Sequence, residues 1–446
     1  MSAALNRSLV RTVIAAALGG SLLGFDTAVI SGATRSLSAS FALSPAQLGI
    51  TVSAALWGTV VGAICAGPMG RRWGGRVSLL WLAICYLISA VGCAVSSTWP
   101  ELLAFRFVGG LGMGGSSVIA PVYIAEVAPA GWRGRLVGTF QINIVVGVLL
   151  AYLSNYLIGL LSLQDHEWRL QVGVAALPAA LFAVMLLGVE PSARWLAVQG
   201  RLAESLRVLR NLGSADPEGE LREILASMTH DSRARHEGLL QWRYRRPIAL
   251  AVSLALFNQL LGINAVLYYL NDIFAMAGFD RTSQNLQAVV VGAVMLTATL
   301  VALTLIDRFG RRTLLLGGSV GMALCLAGIS AAFQWQRFAA GLLGLVVVYV
   351  AFFCVSQGTV IWVYLSEIFP AQIRSQGQSL GCSTHWVVNA LLSAAFPVLA
   401  ASSHSGPFVM FLVVAVVQFV VVWRFFPETK GVSLEALQRQ MDMAPR

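Results

Sequence analysis

The chain predicts an all-α integral membrane protein: twelve transmembrane helices in two pseudo-symmetric six-helix bundles, with short cytoplasmic helices between them. Three observations carry this expectation. Of 446 residues, 57% are hydrophobic and 11% charged, more apolar side chain than a soluble chain of this length keeps from water. Apolar runs of about 20 residues, the length that crosses a bilayer, recur twelve times. Their centres lie near Leu18, Val60, Ile84, Met113, Val148, Ala180, Leu256, Leu296, Met322, Val348, Leu391 and Ala415. The surplus of Lys and Arg, net +10, falls in alternate short loops.

Arg71, Arg72 and Arg76 follow span two, and Arg133 and Arg135 follow span four. Arg194 to Arg246 follow span six, Arg308, Arg311 and Arg312 span eight, and Arg374 span ten. The positive-inside rule makes these loops and both termini cytoplasmic. Positive charge here orients the chain in a cell membrane and is no nucleic-acid footprint. The first apolar run is too long for a cleaved secretory signal and continues through Asp26 to Ile30. All six cysteines lie in apolar runs without a C-x-x-C pair, which supports neither a disulfide framework nor a metal site. "GLGMGG", Gly110 to Gly115, matches a dinucleotide-binding pattern, but no strand precedes it. Its glycines fit close helix packing instead. No Ser-His-Asp arrangement is evident, so no enzyme and no cofactor are expected.

The halves repeat. "YIAEVAPAGWRG" places Tyr123, Glu126, Pro129 and Arg133; "YLSEIFPAQIRS" places Tyr364, Glu367, Pro370 and Arg374, each 241 positions later. The expected division is an N-terminal bundle 1–192, linker helices 193–246, a C-terminal bundle 247–426 and a tail 427–446. In the linker, "ARWLAVQGRLAESLRVLRNLG" has helical periodicity and stops at Gly213; a second short helix is expected near Glu218–Met228. A duplicated six-span unit implies a transporter with its substrate site between the halves.

Within the spans, Asp26 is the one deep acid and Arg106 the one deep arginine. Span one runs outward and span four inward. The helical rise puts Asp26 roughly 10 Å and Arg106 roughly 8 Å below the outer end. Equal depth permits a pair, and an unpaired charge there is far costlier. Such a pair either orients two helices statically or acts as a switch. A carboxylate beside a guanidinium holds its charge, and one desolvated without a partner takes a proton.

From "GFDTAVISGA" through "PVYIAEVAPAGWRG", "QLLGINAVLYY", "DRFGRR" and "SEIFPAQIR" to "PETKGVSLEAL", the chain resembles the sugar porter family of the major facilitator superfamily over its whole length. The resemblance implies a monosaccharide–proton symporter, because coupled members carry Asp where Asp26 stands and passive facilitators commonly carry Asn. A uniporter, a polyol symporter and a non-transporting sensor are the alternatives. A carboxylate found in span six of some coupled relatives is replaced by Ala175. The implied partners are a monosaccharide, the proton and the lipid bilayer, with the protein a monomer.

Sugar recognition calls for amides, which donate and accept, and for aromatic faces. The resemblance points to Gln141 in span five and to Asn258, Gln259 and Asn264 in span seven. It points also to Trp362 in span ten and Trp386 in span eleven. Asn389 and His385 share a helical face with Trp386. The amides either bind sugar or hydrogen-bond between helices; His385, where an amide is more usual, bonds a hydroxyl or packs. Phe25, Tyr268 and Tyr269 are expected at an outer rim that closes over substrate. A cytoplasmic latch is implied at Arg72, Glu126, Arg133, Asp307, Arg308, Arg311, Arg312, Glu367 and Arg374, which otherwise set topology. Its first loop departs from the family pattern, with Arg71 for an acid or amide and Gly75 for an arginine.

Overall fold

The structure, a computed structural model, describes residues 6–129, 131–161, 166–214, 216–233, 239–335, 339–370 and 373–432. Among the described residues the regular elements are helices, and eleven are long and apolar enough to cross a membrane. In order they are Arg7–Phe41, Pro45–Val95, Trp99–Val127, Arg133–Gly159, Glu167–Leu187 and Trp242–Tyr268. There follow Arg281–Ile306, Arg311–Trp335, Gly341–Glu367, Arg374–Ser402 and Gly406–Phe425.

Eleven helices stand where twelve spans are expected because Pro45–Val95 holds the second and third together. Its 51 residues would reach roughly 77 Å as one straight helix, more than twice the hydrocarbon thickness. Gly74 breaks it, at φ 75° and ψ 165°, a backbone that glycine adopts without strain. A Cβ there would also lie 2.8 Å from the Trp195 ring.

Three other spans are interrupted. Span six is a helix Glu167–Gly173 followed by Ala176–Leu187. Span seven runs Arg245–Leu260, breaks at Gly262 (φ 89°) and resumes as Ile263–Tyr268, and a separate short helix Leu270–Met276 follows it. Span ten changes from α-helix to a π-turn at Cys354–Gly358 before Thr359–Glu367. In membrane transporters such breaks free backbone and side-chain polar groups where a ligand is met. Between the spans lie helices Ala193–Val198, Leu202–Asn211 and Pro217–Arg233. The tail beyond residue 432 is outside the described residues.

The chain divides into two compact units. One is Met1–Val29, Ala54–Ser154 and His166–Arg235; the other is Ile30–Ser53, Asn155–Asp165 and His236–Arg446. The first unit is tightly packed by small residues. A Cβ on Gly110 would fall 1.9 Å from the Ala55 carbonyl oxygen, and one on Gly114 the same distance from that of Thr59. The "GLGMGG" run is thus a close helix contact between spans two and four. Gly114→Ala is expected to cost about 1–3 kcal/mol by overpacking. A melting curve of the purified variant that superimposes on that of the native protein would contradict this.

Candidate substrate and coupling site

In the first unit, Asp26 and Arg106 meet. Oδ1 of Asp26 lies 3.8 Å from Nη1 of Arg106, with the side chains 14% and 3% exposed. The Arg106 Nε is buried and has no hydrogen-bond partner. The guanidinium is therefore held by one loose ionic contact instead of a bidentate fork, an arrangement that parts without losing several aligned bonds. Span one reaches this position by pressing on span five: a Cβ on Gly24 would lie 1.8 Å from the Ile144 carbonyl oxygen, and Ser21 donates to Asn143 Oδ1 at 2.9 Å. Gln141 lies partly buried on the same span five.

In the second unit, the span-seven break gathers the amides. Asn258 and Gln259 sit in the last turn before Gly262 and Asn264 just after it. Gln259 is fully buried; its Nε2 donates to Asn258 Oδ1 at 3.0 Å, and its Oε1 accepts from Asn264 Nδ2 at 2.9 Å. The same Nε2 lies 3.1 Å from each ring nitrogen of His385. An amide N–H donates, so the imidazole accepts, as a neutral ring does. Asn258 also donates to the Gln357 carbonyl at 3.3 Å, tying span seven to the π-turn of span ten.

His385 is flanked by both tryptophans. Its ring is 5.3 Å from that of Trp362, tilted by 54°, and 5.0 Å from that of Trp386, edge to face at 84°. Trp386 is buried, whereas Trp362 is 36% exposed. His385 thus both packs and hydrogen-bonds. On span eleven, Asn389 donates to the Tyr268 hydroxyl at 3.1 Å and accepts from Ser393 at 3.2 Å. Tyr269 donates to the Ser393 carbonyl and stacks on Phe396, centroids 5.1 Å apart. Phe25, of the first unit, is buried.

At the arginine-rich ends, each unit builds a clasp on its repeated Glu. In the second, Glu367 accepts from Arg311 Nη2 at 2.9 Å and from the Thr429 hydroxyl at 2.6 Å. Tyr364 donates to the Pro427 carbonyl, and Lys430 to that of Arg308. Glu428 accepts from the backbone N–H groups of Arg311 and Arg312, capping span nine. Burial works to raise the Glu428 carboxyl, but the N–H groups of Lys430, Arg311, Arg312 and Thr429 outweigh it and hold it below the ordinary value. This cap therefore stabilises at neutral pH and is lost as pH falls through that depressed value. Arg374 turns instead to the Phe369 carbonyl, and Arg312 Nη2 to that of Trp423. The Asp307 side chain is outside the described residues.

The first unit repeats the clasp with a different cation near its Glu, Arg194, whose charge acts on Glu126. Tyr123 donates to the Glu190 carbonyl, as Tyr364 does to Pro427. Ser192 hydrogen-bonds Glu126, as Thr429 does Glu367. The counterpart of Arg311 is Gly75, where a Cβ would sit 2.8 Å from the Tyr123 ring. Arg76 instead donates to the carbonyls of Leu186 and Leu187; Arg72 lies over the Trp73 ring at 5.8 Å, and Arg133 is exposed. Thr429→Val removes a hydroxyl bond to a carboxylate and is expected to cost about 1–3 kcal/mol, read as a lowered melting temperature. Thr429→Ser should retain native stability.

Comparison with known proteins decides the family. Residues 12–441 match the family described as Sugar (and other) transporter. The chain belongs to that family. It is 34% identical to the D-xylose-proton symporter of Escherichia coli strain K12, over 98% of this chain and 97% of the relative. It is equally identical to the glucose facilitated diffusion protein of Zymomonas mobilis, over 98% of each. A solved structure of the xylose transporter from Escherichia coli, in an inward-open conformation, superimposes with a TM-score of 0.86 at 33% identity, covering 97% of this chain and 99% of that one. The fold is that of the major facilitator sugar porters, and the family comprises transporters and not enzymes.

Within this family frame, sequence reasoning passed over Thr429, Glu428 and Ser192. Glu428 and Thr429 stand in a quoted motif and Ser192 directly precedes one, but spacing does not show that these hydroxyls and carboxylates return to the repeated Glu and the span-nine N-terminus. Gln357 was also missed: it is fully buried, with neither end of its amide hydrogen-bonded.

Proposed function

We propose that the protein is a secondary active transporter that carries a monosaccharide into the cell with a proton, by alternating access. The observation that carries this reading is the Asp26–Arg106 contact, a carboxylate and a guanidinium paired inside a span. With the pair closed, both charges are compensated. When a conformational change separates them, the carboxylate takes a proton, which links proton uptake to the change of access. No second deep carboxylate is required, and Ala175 supplies none.

The residues offered for the sugar's hydroxyls are Gln141, Gln259, Asn258, Asn264, His385 and Asn389. Trp362 lies under its apolar face, with Trp386 behind His385. Phe25, Tyr268 and Tyr269 close the outer side. The clasps on Glu126 and Glu367, with Arg72, Arg133, Asp307, Arg308, Arg311, Arg312 and Arg374 around them, brace the inner side. Both termini are cytoplasmic by the charge of the loops, and the protein acts as a monomer in the cell membrane.

Facilitated diffusion is the second reading, favoured by the likeness to the glucose facilitated diffusion protein of Zymomonas mobilis. Purified protein in vesicles with an acid exterior decides between them. Labelled D-xylose or D-glucose concentrated inside above the external level, and discharged by a protonophore, supports symport. Equilibration without concentration supports the facilitator.

A further inference from the structure

A second carboxylate enters the structure where no charge pattern predicted it. Asp272 lies in the short helix Leu270–Met276, beyond the apolar span Trp242–Tyr268 and on the face opposite the arginine-rich loops. The last turns of span one reach it: Arg35 Nε is 3.5 Å from Asp272 Oδ1, the side chains 55% and 24% exposed. Thr34 adds a hydroxyl contact to the same carboxyl. Next to this, Arg281 at the start of span eight donates to Ser36 Oγ at 3.1 Å.

The bonding here suits a carboxylic acid. Asp272 Oδ2 is shut away from solvent and has no hydrogen-bond partner. The Thr34 hydroxyl has a single proton, which points to the Ser31 carbonyl at 3.2 Å, a group that only accepts. That one proton is shared between the Ser31 carbonyl and the Asp272 carboxyl, so Thr34 supports the charged form only in part. The compensating cation, Arg35, is more than half in solvent and is screened.

Resting on the reading of the chain as an alternating-access transporter, we propose that Asp272 is a second proton-binding residue of the cycle, protonated from outside as the end of span one closes onto it. It acts as an acid-favoured clasp on the outer side. Burial pushes its carboxyl up to about 6 against the opposing effects of Thr34 and Arg35, from an ordinary 3.8. Once the contact parts and water enters, the carboxyl returns toward the ordinary value. The proton is held more tightly in the closed form, so acid favours closure. Above pH 6 a charged, desolvated carboxylate opposes it. Between the two values the closing equilibrium changes by on the order of a hundredfold. The charged groups nearby are Arg35 from span one, and Asp280 and Arg281 from the start of span eight. Asp280 is engaged by the backbone and hydroxyl of Ser283, and helix Leu270–Met276 has no other charge.

The test reads closure directly. Spin labels at Ser40→Cys and Thr282→Cys, in full-length protein lacking its native cysteines and held in lipid nanodiscs, report the distance from span one to span eight by pulsed electron resonance. The short-distance population is expected to rise at least tenfold relative to the long one from pH 7.5 to pH 5, and to be insensitive to pH in Asp272→Asn. Arg35→Gln should move the midpoint to higher pH, and Asp272→Glu should keep a pH-dependent transition. A native pH profile in Asp272→Asn overturns the proposal. If that variant does not fold, an unmoved or lowered midpoint in Arg35→Gln overturns it. Failure of the symport reading is a different result, the absence of proton-driven sugar concentration in vesicles made with the native protein.

Discussion

Asp26→Asn is expected to abolish accumulation of sugar against a gradient, bringing the internal to external ratio to about one, while exchange between preloaded vesicles continues. Asparagine keeps the shape of the side chain and an oxygen that can accept from Arg106, but it cannot gain or lose a proton at neutral pH. If Asp26 is the coupling group, sugar then moves without its ion. The substitution also leaves the almost fully buried Arg106 without its anion, a change that commonly costs about 3–5 kcal/mol. Asp26→Asn with Arg106→Gln separates the effects: melting temperature should recover in the double variant and coupling should not. Sugar concentration by the single variant would remove Asp26 from the coupling role.

The second large effect is expected at Gln259→Ala, with sugar affinity reduced about 10- to 100-fold in equilibrium binding to purified protein. The amide donates and accepts at the centre of a chain running from Asn264 through Gln259 to Asn258 and His385. Removing it takes away a sugar partner and leaves three neighbouring groups with unmatched bonds, each about 1–3 kcal/mol when buried. Melting temperature will fall as well, so the decisive comparison is with Ser319→Ala. Ser319 is equally buried but bonds within its own helix, to Leu315. That control should leave binding intact. Unchanged affinity in Gln259→Ala would take the amide cluster out of the sugar site.

The architecture was legible because lipid imposes long apolar runs and loop charge orients them. Gene-scale repetition was legible too, since Tyr123, Glu126, Arg133 and their partners 241 positions on keep their spacing. Depth counting brought Asp26 and Arg106 to one level, and the structure places them in contact. Contacts that depend on a broken helix were not legible. The turn at Gly262 decides which way Asn264 faces relative to Gln259, and no periodicity extends across it. The ion pair of Glu367 shows the same limit: spacing draws the eye to Arg374, but the folded chain supplies Arg311 from another helix. Asp272 escaped notice because its cation lies 237 positions earlier and its position is polar in sequence.

The amide chain around Gln259 has a kinetic consequence. Each of its members is already satisfied by another, so an arriving hydroxyl replaces a bond instead of adding one. Exchange of this kind leaves a small net enthalpy of association, and the ligand comes away as readily as it docked, the vacated partners closing behind it. A receptor with such a pocket would be a poor one. For a carrier it shortens residence time, and throughput at millimolar concentrations depends on dissociation more than on capture.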